Sequence, residues 1–312
     1  TLTGNARMQN RPIQDLLDAL QLINVQARSV KGNGCPPVEV TGAKINTKQV
    51  EINCQNSSQY LSALLLMAPL TQKGLDIQVV GGPVSKPYID MTTALMESFG
   101  IALDRNDYHQ FWVPGGQSYR AGQYAVEADG SQAAYFWSAA AIGGTRIKVM
   151  GVNSDSLQGD VHFIDLLEQM GCRVSREIDG IAVIGGPLKA IEADLADMPD
   201  QVPTLAVVAA FSQGTTVIKN VAHLKSKESD RLGATVTELN KMGIQAGCTE
   251  STLTIRGGQP QGAVVETYND HRIAMSFAIA GLKVPGIRIR NENCVEKSFP
   301  TFWQVFKGLY PS

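Results

Sequence analysis

The sequence predicts an α/β fold built from duplicated βαβαββ units, on three observations. First, a pattern recurs about every seventy residues: a polar cluster, a helix of small apolar residues, Gly or Pro, then an apolar strand. Second, each such segment is followed by an amphipathic helix with its charge on one side. Third, strands and helices alternate throughout, with short glycine-punctuated turns and no low-complexity linker. Duplicated supersecondary units of this length stack into one architecture with helices packed on sheets.

Taken in order, the clusters are Ser57-Ser58-Gln59 before LSALLLMAPL, Gly130-Ser131-Gln132 before AAYFWSAAAIGG, Asp200-Gln201-Val202-Pro203 before TLAVVAAF, and Asn269-Asp270-His271-Arg272 before IAMSFAIAGL. The strands LDIQVV, TRIKVMGV, TTVIKNV and GIRIRN follow them. The Ala-rich first helices suit close packing in an interior. The second helices, with segments such as LLEQMG and TELNKMG, should lie nearer the surface. Second helices begin near Pro12, Pro87, Asp160, Asp230 and Pro300, but the stretch RPIQDLLDALQLINVQA has no first helix before it. It reads as the back half of a unit. With Thr rather than Met at position 1, the expectation is an N-terminally truncated chain. Residues 1–125 would be an incomplete N-terminal domain of half a repeat plus one full repeat, and 126–312 a C-terminal domain of three repeats. The junction would lie near GQYAVEADGS, where one unit's last strand passes into the next cluster.

At 312 residues, 44% hydrophobic and 18% charged, the composition is that of a soluble globular protein able to bury substantial cores. A net charge of −2 argues against bulk attraction to nucleic acid or acidic membranes. No apolar run reaches the roughly 18 residues that a membrane span needs. The five cysteines are odd in number and include no C-x-x-C pair, which fits free thiols in a reducing cytoplasm. No metal-ligand spacing appears among them and the four histidines.

The polar clusters fall at helix starts, where unsatisfied N–H groups favour anions. In SKESDRL, Lys227 and Arg231 are spaced to share a helix face, with Ser226 or Ser229 as N-cap and Glu228 or Asp230 in the first turn. A capped, solvated helix start with surface ion pairs has the same spacing. In ETYNDHRIAM, His271 and Arg272 precede an almost wholly apolar helix that Asn269 or Asp270 would cap. Charge entering such a helix needs a partner, either a ligand anion or an internal pair with Asp270. NSSQYL offers hydroxyls and an amide suited to phosphate oxygens, or simply to a cap. Arg11, before Pro12 in the first helical turn, Lys86, Lys227, Arg231, Arg272 and Lys297 all stand at helix entries of a chain with no net positive charge. That placement points to a small polyanionic ligand. Trp112, Trp137 and Trp303 read as packing residues, and no phosphate loop of the G-x-x-x-x-G-K-[ST] type is present.

The segments GNARMQNRPI, NSSQYLSALLLMAPL, GGPVSKPYIDMT, VEADGSQAAYF, SLQGD, MPD, SKESDRL, TYNDHRIAM and EKSFP occur in the order found in the 5-enolpyruvylshikimate-3-phosphate synthases. Essentially the whole chain resembles that family. The resemblance implies a two-domain inside-out α/β barrel of βαβαββ repeats, which closes on substrates and transfers the enolpyruvyl group of phosphoenolpyruvate to the 5-hydroxyl of shikimate 3-phosphate. It implies no metal and no organic cofactor, a cytoplasmic location, and a monomer when the chain is complete. Ser57, Ser58 and Ser85 would bind the shikimate phosphate, Tyr88 would approach the shikimate carboxylate, and Gln59 would face both ligands. Arg231 and Arg272 would grip the phosphoenolpyruvate carboxylate, while Arg11 and Lys297 would hold its phosphate. Asp200 and Lys227 would handle the proton of the reacting hydroxyl, and Glu228 the proton at C3. His223 stands near the shikimate site where many members have Asn, and Asp129 and His271 would support the site. GSQAAYF replaces the more usual Ala-Ser-Ser run after Asp129. The family's upstream Lys-Ser and Arg substrate residues and its Gly-Asn-Ala-Gly-Thr loop do not occur. The rival expectations are an inactive fragment or binding-only module of this fold, or an enolpyruvyl transferase acting on UDP-N-acetylglucosamine.

Overall fold

The structure, a computed structural model, describes residues 1–42 and 44–309, with the side chain of Ser226 outside the description. The chain divides into two compact units, Thr1–Ala125 and Val126–Ser312.

The first unit opens with α1 (Gln14–Leu22) and an antiparallel pair, β1 (Gln26–Ser29) and β2 (Val38–Thr41). A complete βαβαββ repeat follows: β3 (Gln49–Asn53), α2 (Gln59–Met67), β4 (Leu75–Gly81), α3 (Pro87–Ser98), β5 (Asp104–Asn106) and β6 (Gln110–Val113). Its sheet runs β3-β4-β6-β5, with β3 and β4 parallel and the rest antiparallel. Alternating residues of β3 and β4 (Val50, Ile52, Leu75, Ile77, Val79) face inward onto Leu61, Leu64 and Leu65 of α2, as the two-residue strand period requires.

In the second unit α4 (Gly130–Gly143), β7 (Arg146–Met150), α5 (Phe163–Gln169), β8 (Arg173–Glu177) and β9 (Gly180–Ile184) form the next repeat. Then come β10 (Glu192–Asp194), α6 (Val202–Ala209), β11 (Thr215–Lys219), α7 (Arg231–Lys241), β12 (Gln245–Cys248) and β13 (Leu253–Arg256). The last repeat is β14 (Val264–Val265), α8 (His271–Ala280), β15 (Arg288–Ile289) and α9 (Phe302–Lys307). The sheet β10-β11-β13-β12 copies the order and directions of β3-β4-β6-β5. Two repeats depart from the expected pattern. No strand precedes α4 among the described residues, since 114–129 form neither helix nor strand, so the junction is not a strand leading into a cluster. In the last repeat no strand follows α9 among the described residues.

Helices α4, α6 and α8 pack against one another. Their small side chains permit this, and every residue of α6 and α8 is buried. These helices begin two or three residues earlier than read, inside the polar clusters, at Gly130, Val202 and His271, because local chemistry sets their starts. Asp129 caps α4 by accepting from the backbone N–H of Ser131 and Gln132, and Gly144 closes it in the left-handed region at φ 68°. Pro203 occupies the first turn of α6, where its missing N–H costs nothing. In α7 the inward face carries Arg231 and Glu238 as well as Leu232 and Leu239. The glutamate of TELNKMG is therefore not on the solvent side, contrary to the expectation for second helices.

Candidate active site

In the first unit, the candidate residues gather through a close backbone approach. Gly82, at φ 82°, lies against Cys54, and a Cβ there would sit 2.8 Å from the Cys54 carbonyl oxygen. Backbone hydrogen bonds from Cys54 to Gly81 and from Val84 to Cys54 hold the two loops together. This brings Ser85, itself at φ 55°, beside Ser58, whose hydroxyl donates to the Ser85 carbonyl at 3.5 Å. Ser57 Oγ accepts from the N–H of Gln59 at 3.2 Å. Ser58 stands at the N-cap of α2 but makes no capping bond, so its buried hydroxyl is not spent on the helix. Asn53 and Asn56 donate to Asp15 of α1, tying the start of the chain to the same loop. Arg11 precedes that helix and lies close enough to Tyr60 to act on its phenol. Pro12 is outside α1, which begins at Gln14, a correction to its expected place in the first turn. Lys86 lies 4.9 Å over the Tyr108 ring, and Tyr88 opens α3, part exposed.

The second unit assembles a different kind of site. Arg231, 1% exposed, donates Nη1 to Asp200 Oδ1 at 2.6 Å and Nη2 to Glu228 Oε2 at 2.7 Å. Its Nε reaches Asp270 Oδ2 at 2.8 Å, and Nη2 also reaches Asp270 Oδ1 at 3.3 Å. Arg272 donates Nη2 to Asp200 Oδ2 at 2.9 Å and Nη1 to the Tyr135 hydroxyl at 3.2 Å. Asp200 is thus shared, one oxygen to each arginine. Arg272 Nε is buried and has no hydrogen-bond partner among the described residues. Lys297, half exposed, donates to Glu228 Oε1. Asp270 is fully buried, caps α8 through the N–H of Arg272 and accepts from Ser229 Oγ at 2.9 Å.

Charge sets the protonation states. Burial would raise the Asp200 carboxyl, but Arg272, Arg231 and Lys227 outweigh it and hold it well below the ordinary carboxylate range. Burial likewise opposes ionisation of Glu228, and Arg231 and Lys297 hold it down to about 2. Burial, then the charge of Lys227, lowers His223 to about 4, which places it beside Lys227 and keeps it neutral. His271 falls to about 4 through burial and the adjacent Arg272 charge. Its Nδ1 is 3.7 Å from Asp270 Oδ1, beyond hydrogen-bond reach. Asp160 is pushed up to about 6 by burial and by Asp200, and accepts from Ser131 Oγ at 2.6 Å.

Three local expectations are corrected. Helix α7 starts at Arg231, so Lys227 lies before it in extended backbone and shares no helix face with Arg231. The cap of α7 is Asp230, accepting from the Gly233 N–H, while Ser229 turns to Asp270 and the Ser226 side chain lies outside the described residues. Arg272 pairs internally with Asp200, not with Asp270, which Arg231 takes instead. Asp129 spends its carboxylate on capping α4. Sequence reasoning passed over Tyr135 and Asp160. The signals were a tyrosine inside an otherwise small-residue helix and an acid directly after Gly159, and neither is specific without coordinates.

The family model described as EPSP synthase (3-phosphoshikimate 1-carboxyvinyltransferase) matches residues 1–306. A 3-phosphoshikimate 1-carboxyvinyltransferase of Syntrophobacter fumaroxidans is 41% identical over 312 residues, covering 99% of this chain and 74% of that relative. One from a Shewanella species is 43% identical over 315 residues, covering 99% and 73%. The solved EPSP synthase of Acinetobacter baumannii matches with a TM-score of 0.81 at 29% identity, over 99% of this chain and 73% of that one. The enolpyruvyl transferase NikO from Streptomyces tendae matches at 0.76 with 22% identity, over 96% and 71%, a likeness of fold alone.

Proposed function

The chain belongs to the EPSP synthase family, and from that premise we propose how its residues divide the work of the family reaction. In that reaction the 5-hydroxyl of shikimate 3-phosphate adds to C2 of phosphoenolpyruvate as C3 gains a proton. The tetrahedral intermediate then expels phosphate as C3 loses a proton. In our reading the first unit supplies Ser57, Ser58, Ser85, Gln59 and Tyr88 to shikimate 3-phosphate, and Arg11 to the phosphate of phosphoenolpyruvate. The second supplies Arg231, Arg272 and Lys297 to phosphoenolpyruvate, with Asp200, Lys227 and His223 toward the acceptor hydroxyl and Glu228 toward C3. Asp129 and His271 support the site, one by capping α4 and one at the start of α8. Five free cysteines fit action in a reducing cytoplasm.

The observation that carries this reading is the Asp200 carboxylate shared between two arginine forks, with Arg272 Nε lacking an acceptor among the described residues. Guanidinium groups suit a planar carboxylate. An incoming phosphoenolpyruvate carboxylate would draw Arg231 and Arg272 from Asp200, and its phosphate would draw Lys297 from Glu228. Both acids would then lose the charges that hold their proton affinities low. Asp200 becomes a base able to take the hydroxyl proton, and Glu228 takes a proton from water, delivers it to C3, and as carboxylate removes the C3 proton when phosphate leaves. The same cations offset the anionic charge of the transition state.

Phosphate release with phosphoenolpyruvate plus shikimate 3-phosphate tests the assignment, with UDP-N-acetylglucosamine as control acceptor. Release confined to the shikimate acceptor, and abolished in Asp200→Asn, supports it. Release with the sugar nucleotide, or with neither acceptor, refutes it for this chain.

A further inference from the structure

Glu238 is fully buried, although it lies in a helix whose sequence suggests a solvated charge. A buried carboxylate is costly unless its oxygens are engaged. Lys241 Nζ reaches both oxygens, at 2.8 and 2.9 Å, a pairing one helical turn away that an exposed glutamate makes equally well. The other two donors explain the burial. Tyr268 Oη donates to Oε1 at 2.7 Å, and the backbone N–H of Glu266 donates to Oε2 at 3.2 Å. Both belong to the segment that enters α8.

That segment is strained. Tyr268 and Asn269 are consecutive left-handed residues, at φ 54° and 56°, and neither is glycine. Asn tolerates this region, whereas a bulky tyrosine is held there only where its surroundings over-determine it. Tyr268 is the residue bonded to Glu238. Asn269 is tied separately, accepting from Asn291 Nδ2 at 3.2 Å, and the Asp270 N–H closes the turn on the Thr267 carbonyl at 2.8 Å. The turn delivers Asp270 to Arg231 and Ser229, and starts the helix whose second residue is Arg272. Arg231 and Glu238 are seven residues apart on one face of α7. Helix α7 is therefore joined to the entry of α8 at two points, Arg231 to Asp270 and Glu238 to Tyr268 and Glu266.

We propose that Glu238 is a positioning residue for phosphoenolpyruvate, clamping the Tyr268–Asn269 turn so that Asp270, Arg231 and Arg272 keep the arrangement that receives the substrate carboxylate. This rests on the reading of Arg231 and Arg272 as carboxylate-binding residues.

The test is steady-state kinetics on Tyr268→Phe, Glu238→Gln and Arg272→Lys in the full chain, varying each substrate separately, with thermal melting alongside. The phenylalanine variant keeps the ring and removes only the hydroxyl, so it folds even where the glutamine variant does not. Expected is a KM for phosphoenolpyruvate raised about fivefold in Tyr268→Phe and several tens of fold in Glu238→Gln, because small misplacements of binding groups are amplified in the site. The KM for shikimate 3-phosphate stays within about twofold of the parent. A lowered melting temperature with an unchanged phosphoenolpyruvate KM overturns the proposal and leaves Glu238 a fold contact. Equal rises for both substrates overturn it too. If Arg272→Lys also leaves the phosphoenolpyruvate KM unchanged, the carboxylate reading itself fails. A rise in Arg272→Lys alone refutes only the clamp.

Discussion

The two units present polar groups at helix starts by opposite means. At the start of α2 stand neutral hydroxyls: Ser57, half-buried, accepts from the Gln59 N–H, and Ser58, buried, reaches the Ser85 carbonyl at 3.5 Å. At the start of α8, and before α6 and α7, stand ionised groups that satisfy one another: Arg231 with three carboxylates, and Asp200 with two guanidiniums. A hydroxyl costs little to bury and can turn donor or acceptor toward a ligand. A buried charge costs several kcal/mol unless paired, so the second unit must hold internal counterions and exchange them on binding. The difference teaches that one repeat can place anion-binding groups as a preset cradle or as an ion-pair network awaiting a rival anion.

The largest break in this contrast should come from Glu228→Gln, which keeps the shape of the side chain and removes its proton chemistry. Turnover should fall by 10²- to 10⁴-fold, the range for losing a general acid or base. The KM for both substrates should stay within about threefold, since Arg11, Arg231, Arg272 and Lys297 remain. Steady-state assays decide, and near-normal turnover removes Glu228 from its role. Next is Asp270→Ala, which leaves Arg231 with a buried charge less well compensated. Breaking such a pair from one side costs about 3–5 kcal/mol, read as a lower denaturant midpoint. A loss under 1 kcal/mol would mean that Asp200 and Glu228 alone carry Arg231.

How far the sequence reaches differs between these same regions. Helix and strand order was legible because periodicity, caps and glycines are local: β7 and β11 fall within the strands read from TRIKVMGV and TTVIKNV, and β4 runs one residue past LDIQVV. The missing strand before α4 was illegible because VEADG carries no period that separates strand from extended loop. Arg231 and Arg272 were legible as charges entering apolar helices. Their partners were not, since Asp200 lies 31 and 72 residues from them and spacing says nothing at that range. Glu238 was misplaced because an isolated glutamate near Lys241 looks solvated until the Tyr268 turn folds over it. Tyr135 was missed for the same reason, its partner Arg272 being 137 residues away.

A third prediction sharpens the contrast by pH. Asp160 is a buried acid whose folded-state value rises from 3.8 to about 6. Because the folded value exceeds the unfolded one, its favourable contribution is complete below about pH 4 and is lost as the pH rises through about 6. The amount is about 3 kcal/mol at full loss. Asp160→Asn should therefore match the parent's stability near pH 4 and exceed it at pH 8, measured by denaturant melts across that range. Parallel stability curves would show that Asp160 ionises as readily in the folded chain as in the unfolded one, and would remove the burial argument.

The smallest effect should come from the neutral cradle. Ser58→Ala removes a hydroxyl whose contact with the Ser85 carbonyl, at 3.5 Å, sits at the limit of hydrogen bonding. Folding stability should change by less than about 0.5 kcal/mol, because so long a bond contributes little. If that hydroxyl serves the shikimate phosphate, its loss costs a hydrogen bond to a charged group, about 1.5 kcal/mol, and raises the KM for shikimate 3-phosphate roughly tenfold. The KM for phosphoenolpyruvate should hold. Stability falling while both KM values hold would make Ser58 a fold residue. The first unit's polar cluster would then be no cradle, and the contrast with the paired charges of the second would reduce to burial alone.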